Sequence, residues 1–281
     1  MANIRLSVAS FSFHKLLESG EQDMFSYISD CKDLGCAQLD PWNEHLAPIF
    51  QGDEALRLNK DYLKACLSPA EVAYLKQVKA AADKMSLPFG CICVDGAHIY
   101  EQNPVDRQVN RRIAYRWLDA AQLLGASQVR IDSGGPEELT EEVLTVIVEG
   151  YRDVITKAKE KNLEVVIENH WGPSRHPQQL LRILGVVKSL GLLFDSGNWA
   201  PGTQAKGWEL TSKFARAVHI KARPADEQGN PPEVYLPKVI RILVQAGYKG
   251  AWGVESVPKE GDEYNHLKWV FGIITQTLNT L

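Results

Sequence analysis

A closed barrel of parallel strands, each followed by a helix, is the fold class that the sequence predicts, and three observations predict it. Short apolar runs recur eight times along the chain. Between them lie stretches whose apolar residues fall at helical spacing. No Pro/Gly/Ser-rich linker and no shift in composition divides the 281 residues, a length close to the roughly 250 residues of one α/β barrel. Strands and helices alternating in this way pair in parallel through right-handed crossovers, and eight such units close into a ring rather than an open sheet. The expectation is one α/β domain over residues 1–281, a single (β/α)8 TIM barrel.

In chain order the predicted strands are "IRLSVAS" (4–10), "CAQLD" (36–40), "FGCICVD" (89–95), "SQVRID" (127–132), "LEVVIEN" (163–169), "GLLFDSG" (191–197), "AVHIKA" (217–222) and "AWGVES" (251–256). The plainest helical stretches are "PAEVAYLKQVKAAADKM" (69–85), "RQVNRRIAYRWLDAAQLLG" (107–125) and "PEVYLPKVIRILVQAG" (232–247). The last two end in a glycine where a left-handed residue closes a helix. An open doubly wound sheet for a dinucleotide needs a glycine-rich turn after its first strand, and "FSFHKLLESG" stands there instead. "SGG" at 133–135 reads as a tight turn.

The composition narrows the class of partner. With 44% hydrophobic residues, 23% charged residues and a net charge of −4, the chain is that of an ordinary globular protein with no basic excess for nucleic acid. No apolar stretch approaches the ~20 residues that span a bilayer, and "MANIRLSVASFSFH" lacks a charged region followed by a sustained apolar run. A cytoplasmic protein with no membrane partner is expected. The five cysteines are odd in number and confined to the first third of the chain, so no disulfide framework is expected. Cys91 and Cys93 share one strand face; with no second Cys or His pair at zinc-site spacing, they read as buried packing.

Chemistry in such a barrel collects at the C-terminal strand ends. The last four predicted strands carry Glu168, Asp195, His219 and Glu255 at that level. Singly, an acidic strand end is more often a helix cap and a lone histidine a satisfied core group. Four in register on consecutive strands are different. Unpaired carboxylates facing one mouth raise one another's pKa, whereas a divalent cation makes the same arrangement stable. The oxygen-rich set suits Mn²⁺, Mg²⁺ or Co²⁺, with Zn²⁺ less suited. By strand parity His170 shares the face of Glu168 and Lys221 that of His219, which directs both at a substrate, and Arg223 continues the parity. Trp42, Trp171 and Trp199 follow the second, fifth and sixth predicted strands. Their indoles suit the apolar faces of a sugar ring, or alternatively a homo-oligomer interface. Arg130, Asp132 and His14 end early strands and are candidates to complete the pocket.

The motifs "VVIENHWG", "LLFDSGNW", "VHIKAR" and "WGVES" resemble the sugar phosphate isomerase/epimerase superfamily, the xylose isomerase-like barrels that include ketose 3-epimerases, inosose dehydratases and three-zinc apurinic endonucleases. The resemblance covers the last four strands by motif and the N-terminal half by architecture. It implies a single divalent metal held by Glu168, Asp195, His219 and Glu255, with Glu168 and Glu255 as catalytic residues. Two departures stand out: Ala222 replaces the aspartate that ends a His-x-Lys-Asp motif in many relatives, and Asn198 stands where ketose epimerases carry a histidine. Asn198 therefore joins His170, Lys221, Trp171, Trp199 and Arg223 as an expected substrate contact. The endonucleases' further Asp-x-His is absent, which with the net charge of −4 speaks against DNA as a partner.

The chemistry so implied is proton abstraction next to a carbonyl. A metal holding the substrate carbonyl and adjacent hydroxyl stabilises an enediolate, while Glu168 and Glu255 remove and return the proton on opposite faces. Return to the opposite face is epimerisation, return to the neighbouring carbon is isomerisation, and loss of a β-hydroxyl is dehydration. The expectation is a metal-dependent sugar isomerase or epimerase acting on a ketose or keto-sugar; the alternatives are a dehydratase of the inosose type and a non-catalytic sugar-binding barrel.

Overall fold

The computed structural model describes residues 4–59, 66–258 and 261–281. Seven strands, β1 (Leu6–Val8), β2 (Cys91–Val94), β3 (Gln128–Ile131), β4 (Glu164–Glu168), β5 (Gly191–Asp195), β6 (Ala215–Ile220) and β7 (Trp252–Val254), form one parallel sheet. Their order is β1-β7-β6-β5-β4-β3-β2. The expected strand at 36–40 is not a regular strand. Residues 39–42 instead make isolated parallel bridges to both ends of the sheet, Ala9 with Asp40, Leu39 with Phe89 and Trp42 with Cys93. The ladder is interrupted because the Asp40 N–H donates to the Tyr27 hydroxyl at 3.0 Å, the Trp42 N–H donates to Ser10 Oγ at 2.8 Å, and Pro41 between them has no amide hydrogen. The sheet is curled, with its two edges joined through this segment.

Helices fill the crossovers: α1 (His14–Ser19) and α2 (Met24–Asp33) before the 39–42 segment, α3 (Ala47–Asn59) and α4 (Pro69–Lys84) after it. Then come α5 (Pro104–Leu124), α6 (Glu141–Lys159), α7 (Pro177–Val186), α8 (Gln204–Thr211) and α9 (Pro232–Gln245), one after each strand from β2 to β6, and α10 (Glu263–Asn279) after β7. The caps explain the boundaries. The Asn103 side chain accepts from the Val105 N–H and Pro104 pre-sets the first turn, so α5 starts a few residues earlier than its apolar periodicity implies. Gly125 and Gly247, at φ 69° and 89°, supply the expected left-handed stops.

Alternation along the strands separates two cores. Val129, Ile131, Val165, Ile167, Leu192, Phe194, Val218 and Ile220 point outward into the large apolar layer shared with the helices. Cys91, Cys93, Val166 and Leu193 point inward and pack together, with Ala217 against them, as the floor beneath the mouth. The two thiols are buried packing groups. One irregularity matters for the site. The pairing shifts by a residue between Leu192 and Leu193, and beyond that bulge Asp195 lies opposite His219.

Candidate functional site

Glu168 and Asp195 are the last residues of β4 and β5, His219 lies within β6, and Glu255 directly follows β7. All four are buried. One donor atom from each falls within 4.8 Å of the others. His219 Nδ1 is 2.9 Å from Glu255 Oε2 and 3.9 Å from both Glu168 Oε1 and Asp195 Oδ2. Its other ring nitrogen, Nε2, faces the Cys93 sulfur at 3.9 Å. The turn after β5 holds Asp195, whose Oδ1 accepts the backbone N–H groups of Gly197 and Asn198 at 2.6 and 2.9 Å.

A ring of cations and amides surrounds the tetrad. Lys221 Nζ lies 2.7 Å from Glu255 Oε1 and 3.1 Å from Asp195 Oδ2, and donates to Asn198 Oδ1 at 2.9 Å. Asn198 in turn donates from Nδ2 to Glu168 Oε1 at 3.0 Å. Exposed Arg223 reaches the same Asn198 oxygen at 3.3 Å. Burial, together with nearby Glu255, pushes the Glu168 carboxyl up against the pull of His170, Arg130 and His219. Burial acts on Glu255 the same way, but Lys221 and His219 win and hold it well below the usual carboxylate range. For His219, burial disfavours the charged ring, yet Glu255 and the Cys93 sulfur push its pKa well up.

The donor set fits a divalent cation. Glu168 Oε2, Asp195 Oδ2 and His219 Nδ1 are buried and, among the described residues, make no well-aligned hydrogen bond; each has only ion-pair contacts, the shortest with Arg130 at 3.1 Å, Lys221 at 3.1 Å and Glu255 at 2.9 Å respectively. Three such atoms pointed at one centre are costly unless something satisfies them. Carboxylate oxygens with one imidazole nitrogen are the ligands a hard or borderline divalent ion takes.

A second acidic group, Asp95, Asp132 and His170, lies alongside. Arg130 Nη1 binds Asp95 Oδ1 at 2.6 Å and Asp132 Oδ2 at 2.8 Å, and Arg130 Nε is 3.1 Å from Glu168 Oε2. His170 Nδ1 is 3.2 Å from Asp132 Oδ2 and 4.0 Å from Glu168 Oε2. Burial opposes charge on this ring, but Glu168 and Asp132 raise its pKa to about 9.

Of the residues expected from the sequence, Glu168, Asp195, His219, Glu255, His170, Lys221 and Asn198 meet in this mouth, with Arg223 at its edge. Trp171 lies on the rim, 48% exposed, its ring centroid 4.5 Å from that of His170. Trp199 does not face the mouth: it is 5% exposed and packs against Phe194 and the backbone of Gly207. Its place three residues past a bend, beyond the strand proper, took it out of strand parity. Trp42 and the two early candidates Arg130 and Asp132 belong to the mouth, Trp42 through an Nε1 bond to Asp95 Oδ2 at 2.8 Å. His14 stacks on Phe11 with centroids 4.5 Å apart. Asp95 and the contact of Cys93 with His219 went unread, although the period of two through Cys91 and Cys93 marks both as inward-facing.

A cavity of about 230 Å³ opens over Glu255, Lys221, Arg223 and Phe11. A larger one of about 560 Å³ lies on the other side, against Trp171 and the loops after β2 and β3.

A family model described as xylose isomerase-like TIM barrel matches residues 30–270. No curated protein matches the sequence. Among solved structures, that of an L-ribulose 3-epimerase aligns with a TM-score of 0.72 at 13% identity, over 99% of this chain and 95% of the other. The IOLI protein with a bound zinc atom aligns at 0.71 and 13% identity, over 98% and 96%. The probable 3-DHS dehydratase AsbF of Bacillus anthracis, involved in petrobactin synthesis, aligns at 0.67 and 12% identity, over 97% and 99%. At such identities the likeness is one of fold, and the chemistry is argued from the site.

Proposed function

Because the chain belongs to the xylose isomerase-like TIM barrel family, we propose that it is a metal-dependent sugar isomerase or epimerase, one (β/α)8 domain working in the cytoplasm on a ketose or keto-sugar. The observation that carries the reading is the convergence of Glu168, Asp195, His219 and Glu255 within 4.8 Å. Three of their buried polar atoms have no well-aligned hydrogen bond among the described residues. These four residues hold the ion, Mn²⁺ in first place, with Mg²⁺, Co²⁺ or Zn²⁺ as alternatives. When bound, a divalent ion here supplies Lewis-acid polarisation of a carbonyl and positive charge for an enediolate.

The chain's own groups do the rest. Glu168 and Glu255 come from β4 and the end of β7, with Asp195 and His219 between them, so they flank a sugar carbon from two sides. One takes the proton beside the carbonyl and the other returns it. Lys221, fixed by Glu255, Asp195 and Asn198, presents an ammonium to a substrate oxygen. Asn198 joins that ammonium to Glu168 and sets their spacing. Trp171 offers an indole face at the rim.

One observation favours a second reading, elimination of a β-hydroxyl. His170, held by Asp132 and 4.0 Å from Glu168, is in place to protonate a leaving hydroxyl. Isotope exchange in D₂O with added Mn²⁺, screened over ketoses, 3-keto-sugars and inososes, tests both. Deuterium entering beside the carbonyl, and lost in Asp195→Ala, is the expected result. Loss of water from the same substrates selects the dehydratase. Stoichiometric metal with no exchange on any of them overturns the enzyme and leaves a sugar-binding barrel.

A further inference from the structure

The 560 Å³ cleft on the Trp171 side is larger than one sugar ring needs, and its walls are built rather than left over. Pockets that enclose most of a drug-sized ligand run from about 300 to 1,000 Å³, the size class of a disaccharide. Three loops meet to make it. The loop after β2 is tied to the loop after β3 by the Ile99 N–H to Asp132 O and Tyr100 N–H to Ser133 O bonds, at 3.0 and 2.8 Å. The loops after β3 and β4 touch through glycines: a Cβ on Gly172 would strike the Gly135 carbonyl oxygen, and one on Gly134 would come within 2.7 Å of Tyr100 O. All three glycines have positive φ, 60° at Gly134, 91° at Gly135 and 54° at Gly172. The floor is therefore close-fitted backbone, and the cleft keeps its shape without a ligand.

Its lining matches a sugar. The Trp171 indole is 48% exposed beside the cleft, the largest such apolar face there. Glu101, Gln102 and His98 add a carboxylate, an amide and an imidazole. An aromatic plate with a few polar groups around it is what the C–H face and hydroxyls of a pyranose require. The cleft borders the reacting centre: Trp171 in its wall follows His170 in the chain, its ring 4.5 Å from the imidazole, and His170 lies 4.0 Å from Glu168.

We propose that this cleft is a second sugar subsite, and that the substrate is a glycoside whose non-reacting ring stacks on Trp171 while the reacting ring sits over the tetrad. This rests on the sugar-enzyme reading above and deepens it by naming the substrate class. Calorimetric titration of the Mn²⁺-loaded protein with cellobiose, maltose and trehalose, against glucose, tests it. At least one disaccharide should bind about tenfold or more tightly than glucose, the scale of one aromatic contact plus its hydrogen bonds. That advantage should shrink in Trp171→Phe and vanish in Trp171→Ala, with circular dichroism unchanged; Trp171 is exposed enough for both variants to fold. Disaccharides no tighter than glucose, or an undiminished advantage in Trp171→Ala, overturn the subsite. Binding needs no turnover, so the two readings fail separately. Disaccharide preference without isotope exchange on any sugar removes the reaction and keeps the subsite, and exchange on free ketoses without disaccharide preference does the reverse.

Discussion

Two acidic clusters share the mouth of this barrel, and they differ in how completely nearby side chains satisfy them. Asp95, Asp132 and His170 meet as closely as the tetrad does, with donor atoms within 4.8 Å. Yet Arg130 is built into them, its Nη1 2.6 and 2.8 Å from the two aspartates. In that cluster Asp132 Oδ1 and the Arg130 Nε lack a well-aligned hydrogen bond, while in the tetrad three converging ligand atoms lack one, Glu168 Oε2, Asp195 Oδ2 and His219 Nδ1, and are held by ion-pair contacts alone. Convergence of acidic side chains therefore does not by itself mark a cation site. What distinguishes the tetrad is that three of its converging buried ligand atoms lack a well-aligned hydrogen bond.

The sharpest way to break this distinction is to remove one acid from each cluster. Asp195→Ala or His219→Ala should take bound metal from one ion per chain toward none and abolish turnover, with the fold intact by circular dichroism. Asp132→Ala should leave metal at one per chain. Elemental analysis of protein purified without chelator reads both, and metal retained in the first pair, or lost equally in Asp132→Ala, would collapse the comparison.

Within the tetrad, the two glutamates have different surroundings, and exchange them for glutamine and the difference becomes kinetic. Glu168 touches Arg130 and Asn198, Glu255 touches Lys221 and His219. Glu168→Gln and Glu255→Gln should each slow interconversion by about 10²–10⁴, the usual worth of a general base. Each variant should still exchange the α-proton of one epimer with D₂O, and the preferred epimer should differ between them. The same epimer exchanging in both variants would leave a single-base isomerase or dehydratase.

Much of this was legible because strand parity is a strict rule. Once β4, β5 and β6 are recognised, a period of two puts Glu168, His170, Asp195, His219 and Lys221 on the inner face with no further information. The rule fails where the backbone leaves the extended conformation. Trp199, placed only by its following a strand, lies past the turn that Asp195 caps and covers Gly207. The run at 36–40 reads like a strand's, but Pro41 just beyond it has no amide hydrogen and the amides of Asp40 and Trp42 bond side chains, which limits the segment to isolated bridges. Arg130 posed a different problem: an arginine at a strand end reads as a candidate to complete the pocket. That it neutralises a neighbouring cluster depends on Asp95, which comes from another strand end 35 residues away.

The role of Arg130 can be sharpened next. Arg130→Gln leaves the buried Asp132 and the half-buried Asp95 without their cation, a change that costs about 3–5 kcal/mol where fully buried pairs are broken. Urea denaturation should show a loss of that order in metal-free protein. If the guanidinium is what keeps a second ion out, added Mn²⁺ should stabilise the variant more than it stabilises the wild type. Equal stabilisation of both would show that Arg130 only holds the loops.

The smallest effect is expected at Lys221, which stands beside the tetrad as Arg130 stands within the other cluster. Its ammonium is 2.7 Å from Glu255 and 3.1 Å from Asp195, so geometry alone would make it the tetrad's own cation. Two facts argue otherwise. Lys221 reaches only Asp195 Oδ2 of the three buried atoms without a well-aligned hydrogen bond, leaving Glu168 Oε2 and His219 Nδ1 to other partners. And Lys221 also lines the 230 Å³ cavity over Glu255, where a substrate oxygen can reach it. It should therefore bind substrate and leave the ion to the four ligands. A hydrogen bond to a charged group contributes about 1.5–3 kcal/mol, so Lys221→Met should lower kcat/KM by about 10- to 100-fold with metal content unchanged. If metal binding tightens in that variant while kinetics stay wild-type, Lys221 is a competing cation like Arg130, and the two clusters differ in degree rather than in kind.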